Sequence, residues 1–146
     1  VCSADRESDA LLASIDLMPT FAKPAGYKVP DDRILDGVDQ TQLRLGKSKI
    51  GARDNYYYFV RNELHAVRKG KWKLHLPNQK VHYGYVKDKG SGKLELYDLE
   101  ADIGERKNLV NDNPETVGGL EKCGRAFVAQ KVRLEKHPSG VRRPKK

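Results

Sequence analysis

No run of 18 apolar residues occurs anywhere in these 146 residues, which excludes a hydrophobic transmembrane helix from the sequence printed. Cysteine is scarce. Cys2 and Cys123 are the only two, so one disulfide or two thiols are open and a disulfide framework is excluded. Residues Val1–Asp9 are polar and carry no secretory signal. The sequence opens without Met, directly ahead of an apolar pattern, and reads as a piece of a longer protein. Acidic residues are outnumbered, 20 against 28 Lys and Arg, giving a net charge of +8. This surplus favours anionic partners such as sulfated glycans, acidic lipid or nucleic acid, without choosing among them. Arg142, Arg143, Lys145 and Lys146 place four of these charges in a tail over 137–146, read as solvated and disordered. With 38% apolar residues and the length of one domain, the chain can still bury a core.

The apolar residues are clustered. Ala10, Leu11, Leu12, Ile15, Leu17, Met18 and Phe21 predict a helix over Asp9–Asp16, then a second turn opened by Pro19, which cannot continue an unbroken helix. Residues 27–55 read as a linking loop punctuated by Pro30, Gly37, Gly46 and Gly51, with a short helix around Gln40–Leu45. Tyr56–Val60, Leu64–Arg68 and Lys71–Leu76 then predict three strands, separated by tight turns at Arg61–Asn62 and Lys69–Gly70. In the third strand Trp72, Leu74 and Leu76 share one face, and Lys71, Lys73 and His75 the other. Residues 77–93 form a long loop with a ragged strand at Val81–Val86, and Leu94–Leu99 is a fourth strand. Asn113, Pro114 and Glu115 suit the N-cap and first turn of a last helix. Its stripe of Val117, Leu120, Cys123, Phe127 and Leu134 is weakened by Gly118, Gly119 and Gly124, each by about 1 kcal/mol against Ala. The fold class expected is α+β: a four-stranded antiparallel sheet with a packed C-terminal helix over 56–136, plus an N-terminal helix within 1–26 belonging to another body.

Several segments together resemble the end of an arylsulfatase-type sulfatase of the alkaline-phosphatase-like superfamily. Ser14-Ile15-Asp16-Leu17-Met18-Pro19-Thr20, with Ala25-Gly26 after it, resembles the lead-in to that family's C-terminal region. Asp36-Gly37-Val38-Asp39 ends a second block that starts at Pro30. Ala66–Leu74 resembles the family's most recognisable C-terminal strand pair, and Glu95-Leu96-Tyr97-Asp98-Leu99 with Asp102, Gly104, Glu105, Asn108 and Leu109 its last block. Pro24, in place of an apolar helical residue, and the three glycines of the last helix depart from the pattern. The resemblance implies that residues 1–26 end a large α/β domain whose remainder is missing. That domain would bring the nucleophile (Cys or Ser oxidised to formylglycine), the calcium ligands and the sulfate-binding side chains. The C-terminal subdomain would pack beside the cleft, shape its pocket and supply no catalytic group. The longer enzyme would be exported to a periplasmic, extracellular or lysosomal space.

Cys2-Ser3-Ala4-Asp5-Arg6 fits a relaxed formylglycine motif, but only Val1 precedes it where the family has paired Asp, so it reads as coincidence. His65, His75 and His82 are spaced ten and seven apart, too widely for an ordinary zinc pair. Asp98, Asp102 and Glu105 read as turn residues, with Glu105 starting a short helical turn, rather than as general acids or bases. The best candidates are Arg68, Lys71, Lys73, His75 and His82, which would line a pocket mouth for an anionic, sulfated substrate. The competing reading is that Arg68 and Lys71 pair with carboxylates between subdomains and that Lys73 lies on a solvated strand face. The alternative function is a stand-alone basic module for sulfated glycans or other polyanions. Tyr56, Tyr57 and Tyr58 would suit base stacking, but no RNA-binding motif accompanies them and nucleic acid is disfavoured.

Overall fold

Two kinds of sequence produce two compact units, with the boundary between Asp54 and Asn55. The computed structural model describes residues 7–30, 35–60, 63–77, 81–83, 86–88 and 92–135, with backbone alone for 81–83, 86–88 and 131–135. The Cys2–Arg6 motif, the Arg61–Asn62 turn, part of the block opening at Pro30, and the 137–146 tail lie outside them.

In the second unit, aromatic and β-branched runs extend because such side chains pack well on a pleated surface. Strands β1 (Asn55–Val60), β2 (Glu63–Lys69), β3 (Trp72–His75) and β6 (Glu95–Asp98) form an antiparallel sheet in the order β1-β2-β3-β6. Between β3 and β6 the expected loop contains a separate two-stranded sheet, β4 (Val81–Tyr83) with β5 (Val86–Asp88). The β1–β2 register skips one residue: Tyr58 faces Ala66 and Phe59 faces Leu64, leaving His65 as a bulge. The bulge resets alternation, so Leu64 and Val67, three positions apart, both enter the core. Leu74, Leu96, Val117 and Leu120 complete it.

Helix α3 (Pro114–Glu135) begins at Pro114, whose missing N–H would have had no intrahelical partner. Phe127 stacks on Tyr57 with ring centroids 4.0 Å apart. Gly124 does more than weaken the helix. A Cβ there would lie 2.9 Å from Leu64 Cδ2 and 3.0 Å from Val67 Cγ2, so the glycine lets helix and sheet approach. Gly118 and Gly119 have nothing within 4 Å of that position. Thermal melts should therefore split by sign. Gly118→Ala and Gly119→Ala each stabilise by about 0.5–1 kcal/mol, and Gly124→Val destabilises by about 1–3 kcal/mol.

The first unit is organised by polar groups. The helix expected over Asp9–Asp16 is replaced by a 3-10 turn at Ser14–Asp16 running into α1 (Leu17–Ala22), with Pro19 its third residue. The reason is tertiary. Ala13 is extended (φ −130°), its N–H donates to Asp16 Oδ2 at 3.0 Å, and the Ala10 N–H donates to Ser8 Oγ. Pro19 is tolerated because first-turn N–H groups lack helical acceptors. Asp16 is buried; its carboxylate also accepts the Val38 N–H at 2.9 Å and takes two donors of the Arg53 guanidinium, Nε and Nη2. Thr20 Oγ1 donates to the Asp16 carbonyl and accepts the Gln40 N–H, and Gln40 Oε1 accepts the Ala52 N–H at 2.7 Å. These bonds order residues 36–53, where α2 (Thr41–Arg44) is the one short helix. Leu12, Ile15, Leu17, Met18 and Phe21 remain 42–52% exposed, making an apolar face on this unit. No helix among the described residues is long and apolar enough to cross a membrane.

Candidate functional site

Strand alternation sends Leu74 into the core and Lys73 and His75 to the opposite face of the sheet. Register then places Arg68 and Tyr97 on either side of Lys73, and Ala66 and Glu95 on either side of His75. Tyr56 and Tyr58 meet edge to face, 4.9 Å between centroids, and Lys73 Nζ lies 5.0 Å from the Tyr58 centroid. The His75 ring meets Tyr97 edge-on at 5.7 Å. Of the five residues singled out, Arg68, Lys73 and His75 thus share one face. Lys71 sits in the β2–β3 turn, over the Trp72 ring and bonded to Asp98 Oδ2 at 2.7 Å. The Arg68 Nε–H donates to the Gly70 carbonyl at 3.1 Å. His82 lies on β4 opposite Lys87, in the other sheet, and its side chain is outside the described residues.

The residue that organises this face is Glu105. Its Oε1 accepts from Lys73 Nζ at 2.6 Å and its Oε2 contacts His75 Nε2 at 2.8 Å. Burial pushes the Glu105 carboxyl up, but the bonds and charge of Lys73 and then His75 prevail and hold it below its usual range. Glu105 does not start a helical turn. Its φ is +52°, the one left-handed non-glycine among the described residues, a conformation that costs about 1 kcal/mol or more. The surrounding turn is tightly tied. Asp102 Oδ2 accepts the N–H groups of Arg106 and Lys107, and Asn108 Oδ1 accepts those of Leu96 and Val110. The Leu109 N–H reaches the Leu96 carbonyl at 2.8 Å, so this segment clasps the outer edge of β6. Asp98 is held below its usual range, chiefly by its bond to Lys71, and Tyr97 is raised by burial and by Glu95.

Chemically the described side chains of this face can hold and orient a polar group. Lys73, His75 and Glu105 side chains are only 17%, 35% and 28% exposed. Among the described residues no three His, Cys, Asp or Glu side chains converge to hold a metal ion. Cys123 is half-buried on α3. Sequence reasoning missed Glu105 as the partner of Lys73 and His75. The two lie some 30 residues upstream on a strand, and no local spacing links them to a turn glutamate.

Residues 51–146 match the family described as the C-terminal region of aryl-sulfatase. An arylsulfatase of Hemicentrotus pulcherrimus is 30% identical over 149 residues, covering 92% of this chain and 27% of that protein. Arylsulfatase A of Bos taurus is 36% identical over 115 residues, covering 69% of this chain and 22% of the relative. Among solved structures, a Bacteroides thetaiotaomicron protein connected with the metabolism of multiple glycosaminoglycans superposes with a TM-score of 0.69 at 27% identity, covering 84% of this chain and 26% of that one. The PsFucS1 sulfatase of a Pseudoalteromonas species shares the fold, with a TM-score of 0.64 at 19% identity, over 86% of this chain and 26% of its own. The chain therefore spans 22–27% of the length of these relatives. By its family match and by the antiparallel sheet and helix it shares with these structures, the chain belongs to the sulfatases, as their C-terminal region.

Proposed function

We propose that this chain supports the fold of an enzyme that hydrolyses sulfate esters of aryl groups or sugars, and borders its substrate pocket without performing the chemistry. The match of residues 51–146 to the aryl-sulfatase C-terminal region, in a chain spanning about a quarter of its relatives, carries the reading. The preceding α/β domain would supply calcium and formylglycine and would seat on the apolar face of Ile15, Leu17 and Phe21. Toward an anionic, sulfated substrate, Arg68 is the strongest of the candidate contacts. Its guanidinium offers further N–H donors beyond the one given to Gly70, while Lys71, Lys73 and His75 are engaged by Asp98 and Glu105. His82 would act from the β4–β5 excursion.

The isolated chain is expected to release no sulfate from a chromogenic aryl sulfate, whereas the longer enzyme does; turnover by the chain alone would overturn the siting of the chemistry. In the longer enzyme, Arg68→Ala should raise KM roughly threefold to tenfold with kcat kept, the signature of lost uniform binding. The alternative, a polyanion-binding module, rests on the net charge of +8. Parallel chromatography on heparin and single-stranded DNA separates the two. Elution from both at the same salt is the behaviour of plain charge, and retention on heparin to distinctly higher salt would favour the module.

A further inference from the structure

The two oxygens of Glu105 meet two different kinds of group. Oε1 takes the Lys73 ammonium at 2.6 Å, and Oε2 lies 2.8 Å from His75 Nε2. A carboxylate held below its usual range has only lone pairs to offer, so the nitrogen it faces must bring the proton. Nor can this carboxylate swing away. Its backbone is left-handed at φ +52°, in a turn closed by the Glu105 N–H on the Asp102 carbonyl and by Asp102 Oδ2 on the Arg106 and Lys107 N–H groups. On the other side of the ring, Nδ1 makes no hydrogen bond among the described residues, and the His75 side chain is 35% exposed. Glu95, its cross-strand neighbour, bonds the Tyr97 hydroxyl instead.

We infer that Glu105 is a positioning residue: it keeps the proton of His75 on Nε2 and leaves the Nδ1 lone pair as the atom this ring offers to a ligand. A neutral His75 then accepts a hydrogen bond, and its lone pair repels sulfate oxygens. The group it suits is a hydroxyl on the sugar that carries the sulfate, while the anion is left to Arg68. That assignment of the hydroxyl rests on the proposal that the chain borders a substrate pocket; the placing of the proton does not.

The tautomer can be read directly. Long-range proton–nitrogen correlation spectra of the chain with isotope-labelled histidine, at about pH 9, lie above the ordinary imidazole range. The His75 signals are identified by their loss in His75→Asn. They should show a proton on Nε2 and a bare Nδ1. Glu105→Gln should invert this. Gln has one acceptor oxygen, which the Lys73 ammonium takes, so its amide N–H faces His75 Nε2 and moves the ring proton to Nδ1. A role for Glu105 as a latch on its turn alone would change stability and leave the tautomer where it was. In the longer enzyme the same substitution should raise KM for a sulfated sugar roughly threefold to tenfold with kcat kept. It should leave KM for para-nitrophenyl sulfate, which has no hydroxyl, unchanged. A wild-type His75 with its proton on Nδ1, on both nitrogens or in a mixture overturns the inference, whether or not the variant folds. So does a tautomer unmoved by Glu105→Gln. The expected tautomers with an unchanged KM, with an equal rise for both substrates, or without turnover of a sulfated sugar keep the placing of the proton and overturn the substrate contact.

Discussion

Replacing Asp16 by Ala should unfold the first unit, lowering its stability by about 3–5 kcal/mol, the usual cost of stripping one partner from a buried ion pair. The Arg53 side chain is only 9% exposed and Asp16 2%, so the guanidinium would be left charged without its carboxylate. The Val38 and Ala13 N–H groups would lose their acceptor as well. Arg53 also donates to the Asp36 carbonyl at 2.7 Å, so the pair ties together the chain at Asp16, Asp36 and Arg53. Arg53→Lys keeps the charge but not the planar fork and should recover only part of the loss. Urea-dependent proteolysis with cleavage mapped to residues 36–53 reads the effect. A loss below about 1 kcal/mol would sink the claim that this ion pair organises the unit.

The same pair fixes an acid response. Burial raises the Asp16 carboxyl, but Arg53 and the Val38 and Ala13 N–H groups outweigh burial and hold it at about 2, below the reference of 3.8. A depressed carboxyl contributes stability that is complete above its unfolded value and disappears as pH falls through its folded one. Between about pH 4 and pH 2 the unit should therefore lose about 2 kcal/mol, and the Asp16→Ala variant should lack this component.

These features also show what the sequence made legible. The four-stranded sheet was readable because Tyr56–Val60, Leu64–Arg68, Lys71–Leu76 and Leu94–Leu99 combine strand-forming residues with turns, and period-two alternation put Lys73 and His75 on one face, whereas Lys71, expected beside them, precedes the strand in its turn and Arg68 joins them through register. The start of α3 was readable from Asn113-Pro114-Glu115 because capping is local. What could not be read depends on partners distant along the chain. The apolar pattern of Leu11, Leu12 and Ile15 resembles a helix, but Asp16 is claimed by Val38 and Arg53, and Ala13 is extended. Gly124 looked like a weakness until Leu64 and Val67 were seen against it, and the bulge at His65 that brings both there has no local signature. Glu105 looked like a turn residue because its claim on Lys73 and His75 is made across the sheet.

Gly37→Ala should be as damaging as any single methyl added to this protein. A Cβ at position 37 would lie 2.1 Å from the Ile15 carbonyl oxygen, 2.9 Å from its carbon and 3.1 Å from Pro19 Cγ. None of these atoms is the tip of a flexible side chain. Ile15 lies within the Ser14–Asp16 turn and Pro19 is a fixed ring inside α1, so relief requires moving backbone. The cost should reach or exceed about 3 kcal/mol, the upper end of overpacking. Gly26→Ala is the instructive contrast. Gly26 has φ +77° with open space around it, so the substitution meets conformational strain alone and should cost about 1 kcal/mol. The Gly37 contact and the Asp16 network join the same two stretches of chain, since the Val38 N–H donates to Asp16 and Gly37 abuts Ile15. Their effects should therefore not add. Gly37→Ala combined with Asp16→Ala should destabilise by at least about 1 kcal/mol less than the sum of the two alone. Strict additivity in that cycle would mean that the segments around Asp16 and Gly37 are held independently, contrary to the packing seen between them.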